Sequence, residues 1–84
     1  MRVTVELTYD MSKELGVDRF DVEDVATVAE LIDKARERVG PSFEKHARLA
    51  AVAVNGLLVN YKRGLKTRLA DGDRVGFVKA SAGG

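Results

Sequence analysis

The first residues of the chain alternate between polar and apolar side chains. The apolar set is Val3, Val5, Leu7 and Tyr9, and the polar set is Arg2, Thr4, Glu6 and Thr8. A period of two is typical of a strand with one buried face, so we predict a strand over residues 2–9 with the apolar set inward. Residues 10–18 contain several charges and Gly16, which favours a hairpin connection. A short return strand is predicted at residues 19–23, with Phe20 and Val22 inward.

Residues 28–39 carry the pattern of an amphipathic helix. Apolar side chains recur at one helical spacing, at Val28, Leu31, Ile32, Ala35 and Val39. That spacing forms a single stripe on a 3.6-residue repeat. Thr27 and Glu30 have the spacing of a capping box, and Gly40-Pro41 ends the helix. Residues 42–50 predict one or two further helical turns, with Phe43 and Ala47 on the same side.

The last third of the chain predicts three more strands, at residues 51–54, 57–59 and 74–79. Asn55-Gly56 is a strong type I′ hairpin signal between the first two, and a turn at 69–73 precedes the third. A helix that follows an N-terminal hairpin has to cross over the sheet. In the compact arrangement that results, the first and last strands lie side by side and run parallel. The predicted fold class is α+β: a β-grasp (ubiquitin-like) fold, with a mixed sheet and one main helix packed across one face.

Composition limits the functions open to this chain. Its 84 residues suit one small domain, predicted at residues 1–79, followed by a flexible C-terminal tail at residues 80–84. Such a chain buries too little surface to enclose a large active-site cavity, so we expect no self-contained enzyme. Fourteen Lys and Arg against thirteen Asp and Glu leave a net charge of +1. A nucleic-acid partner is therefore not expected, because the basic field that binds phosphates is missing.

Several absences in the sequence bear on chemistry and location. Without cysteine there is no disulfide, thiolate metal site or cysteine nucleophile, and no other metal site is predicted. No apolar run approaches the ~20 residues of a membrane span, so we expect no membrane contact. The N-terminus lacks the charged-then-apolar layout of a signal peptide, so we expect a cytoplasmic protein.

The chain ends in Gly83-Gly84, and this tail is the most informative feature of the sequence. At a glycine usage of ~7%, two glycines close a chain by chance in about half a per cent of cases. One interpretation is a frayed terminus, where small residues are tolerated. The other is that the terminal carboxylate is itself the reactive group. Without Cβ atoms the tail fits a narrow channel and adopts backbone angles closed to other residues.

Three motifs in register carry a family resemblance. They are Val52-Ala53-Val54-Asn55-Gly56, then residues 69–78 (LADGDRVGFV), then the closing Gly83-Gly84. Together they resemble the small subunit of molybdopterin synthase and its sulfur-carrier relatives. The stretch 42–50 resembles the long helix-to-strand insert of the molybdopterin branch. One departure is the link Lys79-Ala80-Ser81-Ala82, where family members commonly carry prolines and a larger apolar residue.

The resemblance implies a two-stage mechanism. An ATP-dependent activating (adenylating) enzyme would adenylate the carboxylate of Gly84, and a sulfur donor protein would displace AMP to leave a thiocarboxylate. The tail, with Gly83 beside the reactive carbonyl, would then enter the large subunit of molybdopterin synthase and pass its sulfur to a pterin precursor. This chain would bind no cofactor itself, because ATP is used by the activating enzyme. It would be a carrier and co-substrate, with catalysis on its partners.

Strand parity predicts which side of the last strand meets a partner. Val75 and Phe77 are placed toward the helix, so Gly76 and Val78 face outward beside the tail. We assign partner contact to a contiguous run, Val78, Lys79, Ala80, Ser81 and Ala82. Leu57 or Leu58 extends this surface, and the sequence does not decide which.

Other charged groups have simpler interpretations. Lys62, Arg63, Lys66 and Arg68 favour a solvated loop over a patch that steers an acidic partner. His46 favours a surface position over a catalytic or metal-binding one. The acidic group Asp18, Asp21, Glu23 and Asp24 is explained by the positive end of the helix dipole.

Other functions fit the same tail. A ubiquitin-like modifier would be adenylated at Gly84 and then joined to lysines of other proteins. A sulfur carrier for tRNA or thiamine thiolation would differ only in the acceptor. A β-grasp interaction module with an inert tail is the third alternative.

Overall fold

The computed structural model describes residues 1–59 and 64–79. In chain order the elements are β1 (Arg2–Glu6), α1 (Tyr9–Leu15), β2 (Arg19–Glu23), α2 (Val28–Val39), α3 (Ser42–Leu49), β3 (Ala50–Val54), β4 (Leu57–Val59) and β5 (Arg74–Lys79). The strands form one mixed sheet in the order β2-β1-β5-β3-β4. Strand β5 is central, because it runs parallel to β1 and antiparallel to β3. The predicted β-grasp fold is confirmed.

One face of the sheet carries the core, as the alternation predicts. Its inward residues on β1, β2 and β5 are at most 7% exposed: Val3, Val5, Phe20, Val22, Val75 and Phe77. They form one cluster with the buried side chains of α2, which are Val28, Leu31, Ile32 and Ala35. Burial of these large side chains against the sheet stabilises the fold, at about 1.5–3 kcal/mol each.

The N-terminus of α2 is closed by hydrogen bonds. Thr27 Oγ1 accepts from the Glu30 amide at 3.3 Å. The Glu30 carboxylate accepts from the amide of Ala26 at 3.0 Å, one residue before the cap. The amides of Val28 and Ala29 donate to carbonyls in the segment that leads into β5, at 3.1 and 3.0 Å. The amide groups of this first turn are therefore not available to a phosphate or other anion.

The sequence prediction is wrong for residues 7–18. Strand β1 ends at Glu6, and α1 occupies the predicted hairpin connection. Thr8 caps this helix by accepting from the Met11 amide at 3.0 Å, and Gly16 ends it at φ 77°, in the left-handed region. As a result Met11 enters the core at 2% exposure, whereas Tyr9 turns outward and is 73% exposed.

Helix α3 joins the helical layer to the central strand. Phe43 and Ala47 are fully buried on the same side, as predicted. The Phe43 ring meets Phe77 of β5 edge-on, with centroids 5.4 Å apart. On the outer side, Glu44 bonds Arg36 of α2 at 2.9 Å and Arg48 of its own helix at 2.8 Å. The predicted insert is therefore an integral part of the core, packed directly behind the strand that ends at Lys79.

Candidate functional site

Strand β5 determines where the C-terminal tail begins. It is hydrogen-bonded to β1 as far as the pair Glu6 and Gly76, and to β3 as far as the pair Ala50 and Lys79. The predicted reactive residues Gly83 and Gly84, and the predicted contact residues Ala80, Ser81 and Ala82, lie outside the described residues. The site described below is therefore the surface around the end of β5.

The sheet face opposite the helices becomes apolar toward the end of β5. Val78 is 43% exposed there, which agrees with its predicted outward position. The register places small residues beside it and extends the surface to Leu58 of β4, which pairs with Ala53. We call this surface the open-face patch; its members are Ala51, Ala53, Leu58, Gly76 and Val78. Leu57 pairs with Val54 and belongs to the other face, which answers the question left open by the sequence.

The other half of this face is charged. Arg2 lies 3.6 Å from the Glu23 carboxylate across the β1–β2 pair, and Arg19 lies 3.9 Å from that of Glu6. These side chains are largely exposed, so the ion pairs contribute little to stability. They keep this half of the face hydrated, so the open-face patch is the better surface for an apolar partner.

The β2 edge of the sheet is covered by cations from α2. Lys34 Nζ donates to the Glu23 carbonyl at 2.7 Å, and an Arg38 guanidinium nitrogen donates to the Asp21 carbonyl at 2.9 Å. The Arg38 guanidinium also lies 5.3 Å from the centroid of the Phe20 ring. A partner strand at this edge would have to displace both cations. The β2 edge is therefore a poor docking site for a partner strand.

Two of the sequence motifs meet in one hydrogen-bonded unit. Asn55 Nδ2 donates to the Asp73 carboxylate at 3.0 Å, and Asn55 Oδ1 accepts from the Arg74 amide at 2.9 Å. The Asp73 carboxylate also accepts from the Ala70 amide at 2.7 Å. The Ala70 hydrogen bond, and then that of Asn55, lower the pKa of Asp73. Both motifs therefore have a structural role, because they hold the β3–β4 hairpin against the start of β5.

Both motifs lie within the part of the chain that matches a known protein family. Residues 12–84 match the ThiS family, so the match extends through the terminal glycines. The chain belongs to the ThiS family. The predicted resemblance to ubiquitin-like sulfur carriers is thereby confirmed. No curated protein matches the chain significantly.

Solved structures similar to this ThiS-family chain share its fold over nearly the whole length. A putative molybdopterin converting factor subunit 1 from Pyrococcus furiosus is 25% identical with a TM-score of 0.77, over 96% of this chain and 99% of its own. CysO, in the Amycolatopsis orientalis BexX/CysO complex, is 30% identical with a TM-score of 0.76, over 98% and 99%. SAMP1 from Haloferax volcanii is 20% identical with a TM-score of 0.80, over the full length of both chains.

The remaining predicted groups of this ThiS-family chain stay at the surface or outside the described part. His46 is one-quarter exposed and its Nε2 contacts the Glu14 carboxylate of α1. Lys62 and Arg63 lie outside the described residues, and Arg68 is exposed. Within residues 1–59 and 64–79, no group of three or more His, Asp or Glu side chains is arranged to hold a metal ion. In the same ranges, no helix has the length and apolar character needed to cross a bilayer.

Two features of the site were missed by sequence reasoning. Tyr9 was placed in the core, yet it lies at an open notch beside Val78, lined by Leu7, Thr8, Tyr9, Asp10, Phe77 and Val78. Leu49 was not considered at all, yet it is 73% exposed and directly precedes Ala50, the partner of Lys79. The cap at Thr8 and the helix-ending Gly16 were local signals for α1. No local signal places Leu49 beside the end of β5, because that depends on the pairing of β3 with β5.

Proposed function

We propose that this chain is a sulfur carrier that serves as the small subunit of molybdopterin synthase in molybdenum cofactor biosynthesis. The observation that carries the proposal is a ThiS-family chain whose central strand ends five residues before Gly84. The similarity to the Pyrococcus furiosus converting-factor subunit supports the molybdopterin branch. The similarity to CysO, solved in complex with BexX, supports action through a protein partner.

The chemistry takes place at the carboxylate of Gly84. A carboxylate is a poor electrophile, and attack of its oxygen on the α-phosphorus of ATP gives an acyl-adenylate and releases pyrophosphate. A sulfide-level nucleophile from a donor protein then attacks the carbonyl carbon, the C–O bond to AMP breaks, and a thiocarboxylate remains. The terminal glycines leave the carbonyl unobstructed for both steps.

The chain contributes presentation of its terminus, and its partners contribute catalysis. The first-turn amides of α2 are already occupied, so ATP is expected to bind on the adenylating enzyme. The five residues after Lys79 span at most about 18 Å when fully extended. Each partner that acts on Gly84 therefore has to lie against the end of β5, and Val78 and Lys79 belong to that contact. The cytoplasmic location stays a prediction.

The test of this proposal is ATP–pyrophosphate exchange with the host's adenylating enzyme. We expect exchange with the full chain and none after deletion of Gly83-Gly84. Mass spectrometry of the protein recovered from cells should show replacement of one oxygen by sulfur. A pull-down of the molybdopterin synthase large subunit would support the molybdopterin branch, whereas capture of tRNA- or thiamine-thiolating enzymes instead would contradict it.

Three results would refute the proposal. Gly-Gly remnants on target lysines, without a thiocarboxylate, would indicate a modifier. Exchange that does not require Gly84 would remove the carrier mechanism. Full molybdenum cofactor production in cells that contain only the chain without Gly83-Gly84 would indicate an interaction module with an inert tail.

A further inference from the structure

Several exposed apolar side chains lie around the end of β5. In the described part of the chain, six large apolar side chains are more than 40% exposed: Met1, Tyr9, Leu49, Leu57, Leu58 and Val78. Tyr9, Leu49 and Val78 lie around the end of β5. We call these three residues the exit collar.

The sheet register explains how the exit collar forms. Strands β1 and β3 flank β5, so the residues that follow β1 and precede β3 lie on its two sides. Tyr9 begins α1 just after β1 and shares a notch of about 390 Å³ with Val78. Leu49 ends α3 directly before Ala50, which pairs with Lys79. The collar therefore combines three elements that lie far apart in the sequence.

The length of the tail indicates what covers the exit collar. Residues 80–84 reach at most about 18 Å from Lys79, so an enzyme that adenylates Gly84 has to approach the end of β5. Water-exposed tyrosine and leucine side chains lose apolar surface favourably when a partner covers them. Tyrosine is also among the residues that most often dominate binding energy at protein interfaces.

We propose that the exit collar is the contact by which the adenylating enzyme seats this carrier, with an apolar side chain of the enzyme inserted in the notch beside Tyr9. This inference rests on the proposed function and adds Tyr9 and Leu49 to its partner surface. The Tyr9 ring supplies an apolar face, and Lys13 lies over it with Nζ 5.5 Å from the ring centroid. The buried Phe77 forms part of the notch lining.

Leu57 provides a matched control for Leu49. The two leucines are 72% and 73% exposed, so truncation to alanine removes the same solvent-exposed group from each. Leu57 pairs with Val54, which pairs with Val75, four residues before Lys79. At about 3.3 Å per residue, Leu57 is therefore displaced by about 13 Å along the strands from the end of β5.

The experiment measures the carrier concentration that gives half-maximal ATP–pyrophosphate exchange. Tyr9→Ala and Leu49→Ala should each raise this concentration at least about fivefold. Leu57→Ala should stay within about twofold of the unmodified chain, because it leaves the exit collar intact. Tyr9→Phe keeps the aromatic ring and should recover most of the affinity that Tyr9→Ala loses. Titration calorimetry without ATP should show the same order of affinities. Urea unfolding verifies that each variant is folded, and Leu49→Gln, which keeps a long side chain, replaces Leu49→Ala should the latter unfold.

The outcomes separate the collar from the proposed function. If exchange requires Gly84 but Tyr9→Ala and Leu49→Ala behave like Leu57→Ala, the collar proposal is overturned and the carrier function stands. A fall in the maximal rate with an unchanged half-saturating concentration would also overturn it, because docking would then be intact. The collar proposal would also be overturned if Tyr9→Ala and Leu49→Ala weakened binding to the large synthase subunit but not to the adenylating enzyme. Exchange indifferent to Gly84 would instead remove the carrier function on which the collar depends.

Discussion

The hydrogen-bonded unit of Asn55 and Asp73 yields a quantitative prediction about the fold. Asp73→Ala removes the hydrogen bonds from the Ala70 amide and from Asn55 Nδ2. Asn55→Gly removes the shared bond and the one accepted from the Arg74 amide. Glycine is the appropriate replacement because Asn55 has φ 51°, where alanine would add strain of its own.

The expected energies follow from counting the bonds. At a net value of about 1 kcal/mol per hydrogen bond, each single variant loses about 2 kcal/mol of unfolding free energy. The double variant loses about 3 kcal/mol, because the shared bond is removed only once. The summed losses of the two single variants therefore exceed the loss of the double variant by about 1 kcal/mol. This difference is the coupling energy between Asn55 and Asp73.

The assay is urea unfolding of the unmodified chain, the two single variants and the double variant. Their unfolding midpoints are converted to free energies with a common m-value. Asp71 provides the matched control, because its carboxylate accepts from the Arg2 amide at 2.7 Å in the same turn as Asp73. Asp71→Ala and Asn55→Gly should be additive within about 0.3 kcal/mol. If the effects of Asn55→Gly and Asp73→Ala were additive to the same extent, the claim that the two motifs form one unit would be refuted.

Three further predictions concern pH and packing. Because folding lowers the pKa of Asp73, its ionised form stabilises the fold above the unfolded-state pKa of about 3.9, and this contribution is lost as the pH falls through the lower folded-state pKa. The stability gap between the unmodified chain and Asp73→Ala, measured by urea unfolding, should therefore be constant near neutral pH and shrink in acid; a gap independent of pH would contradict this. Phe43→Ala should lower the unfolding free energy by about 3–5 kcal/mol, since the ring is fully buried against Phe77, and a loss below about 1 kcal/mol would mean that α3 does not support β5. Thr27→Ala should lower the unfolding free energy by about 1 kcal/mol in the same assay through loss of the cap on α2, and Thr27→Ser should restore the stability. An unchanged midpoint for Thr27→Ala would show that the hydrogen bonds to the Thr67 and Leu65 carbonyls are enough to hold the start of α2.

Sequence periodicity was sufficient for the elements whose side chains repeat at a regular spacing. The stripe of α2, the inward residues of β2 and β5 and the Asn55-Gly56 turn all depend on neighbours within a few positions. The Gly-Gly terminus, and the chemistry proposed for it, likewise come from the sequence alone. Residues 7–18 were assigned wrongly because the alternation of β1 continues through Tyr9 on paper, whereas the cap at Thr8 begins a helix there.

The surface around the end of β5 was decided by tertiary structure. Leu57 and Leu58 are adjacent in sequence, and only their pairing with Val54 and Ala53 shows which face each one occupies. Leu49 and Tyr9 are 40 positions apart, yet β3 and β1 bring both to the end of β5. Strand pairing joins segments that share no local pattern, because backbone hydrogen bonds and burial choose the register. The proposed reactive terminus is therefore predicted from the last two residues, whereas the surface around the end of β5 is a property of the folded sheet.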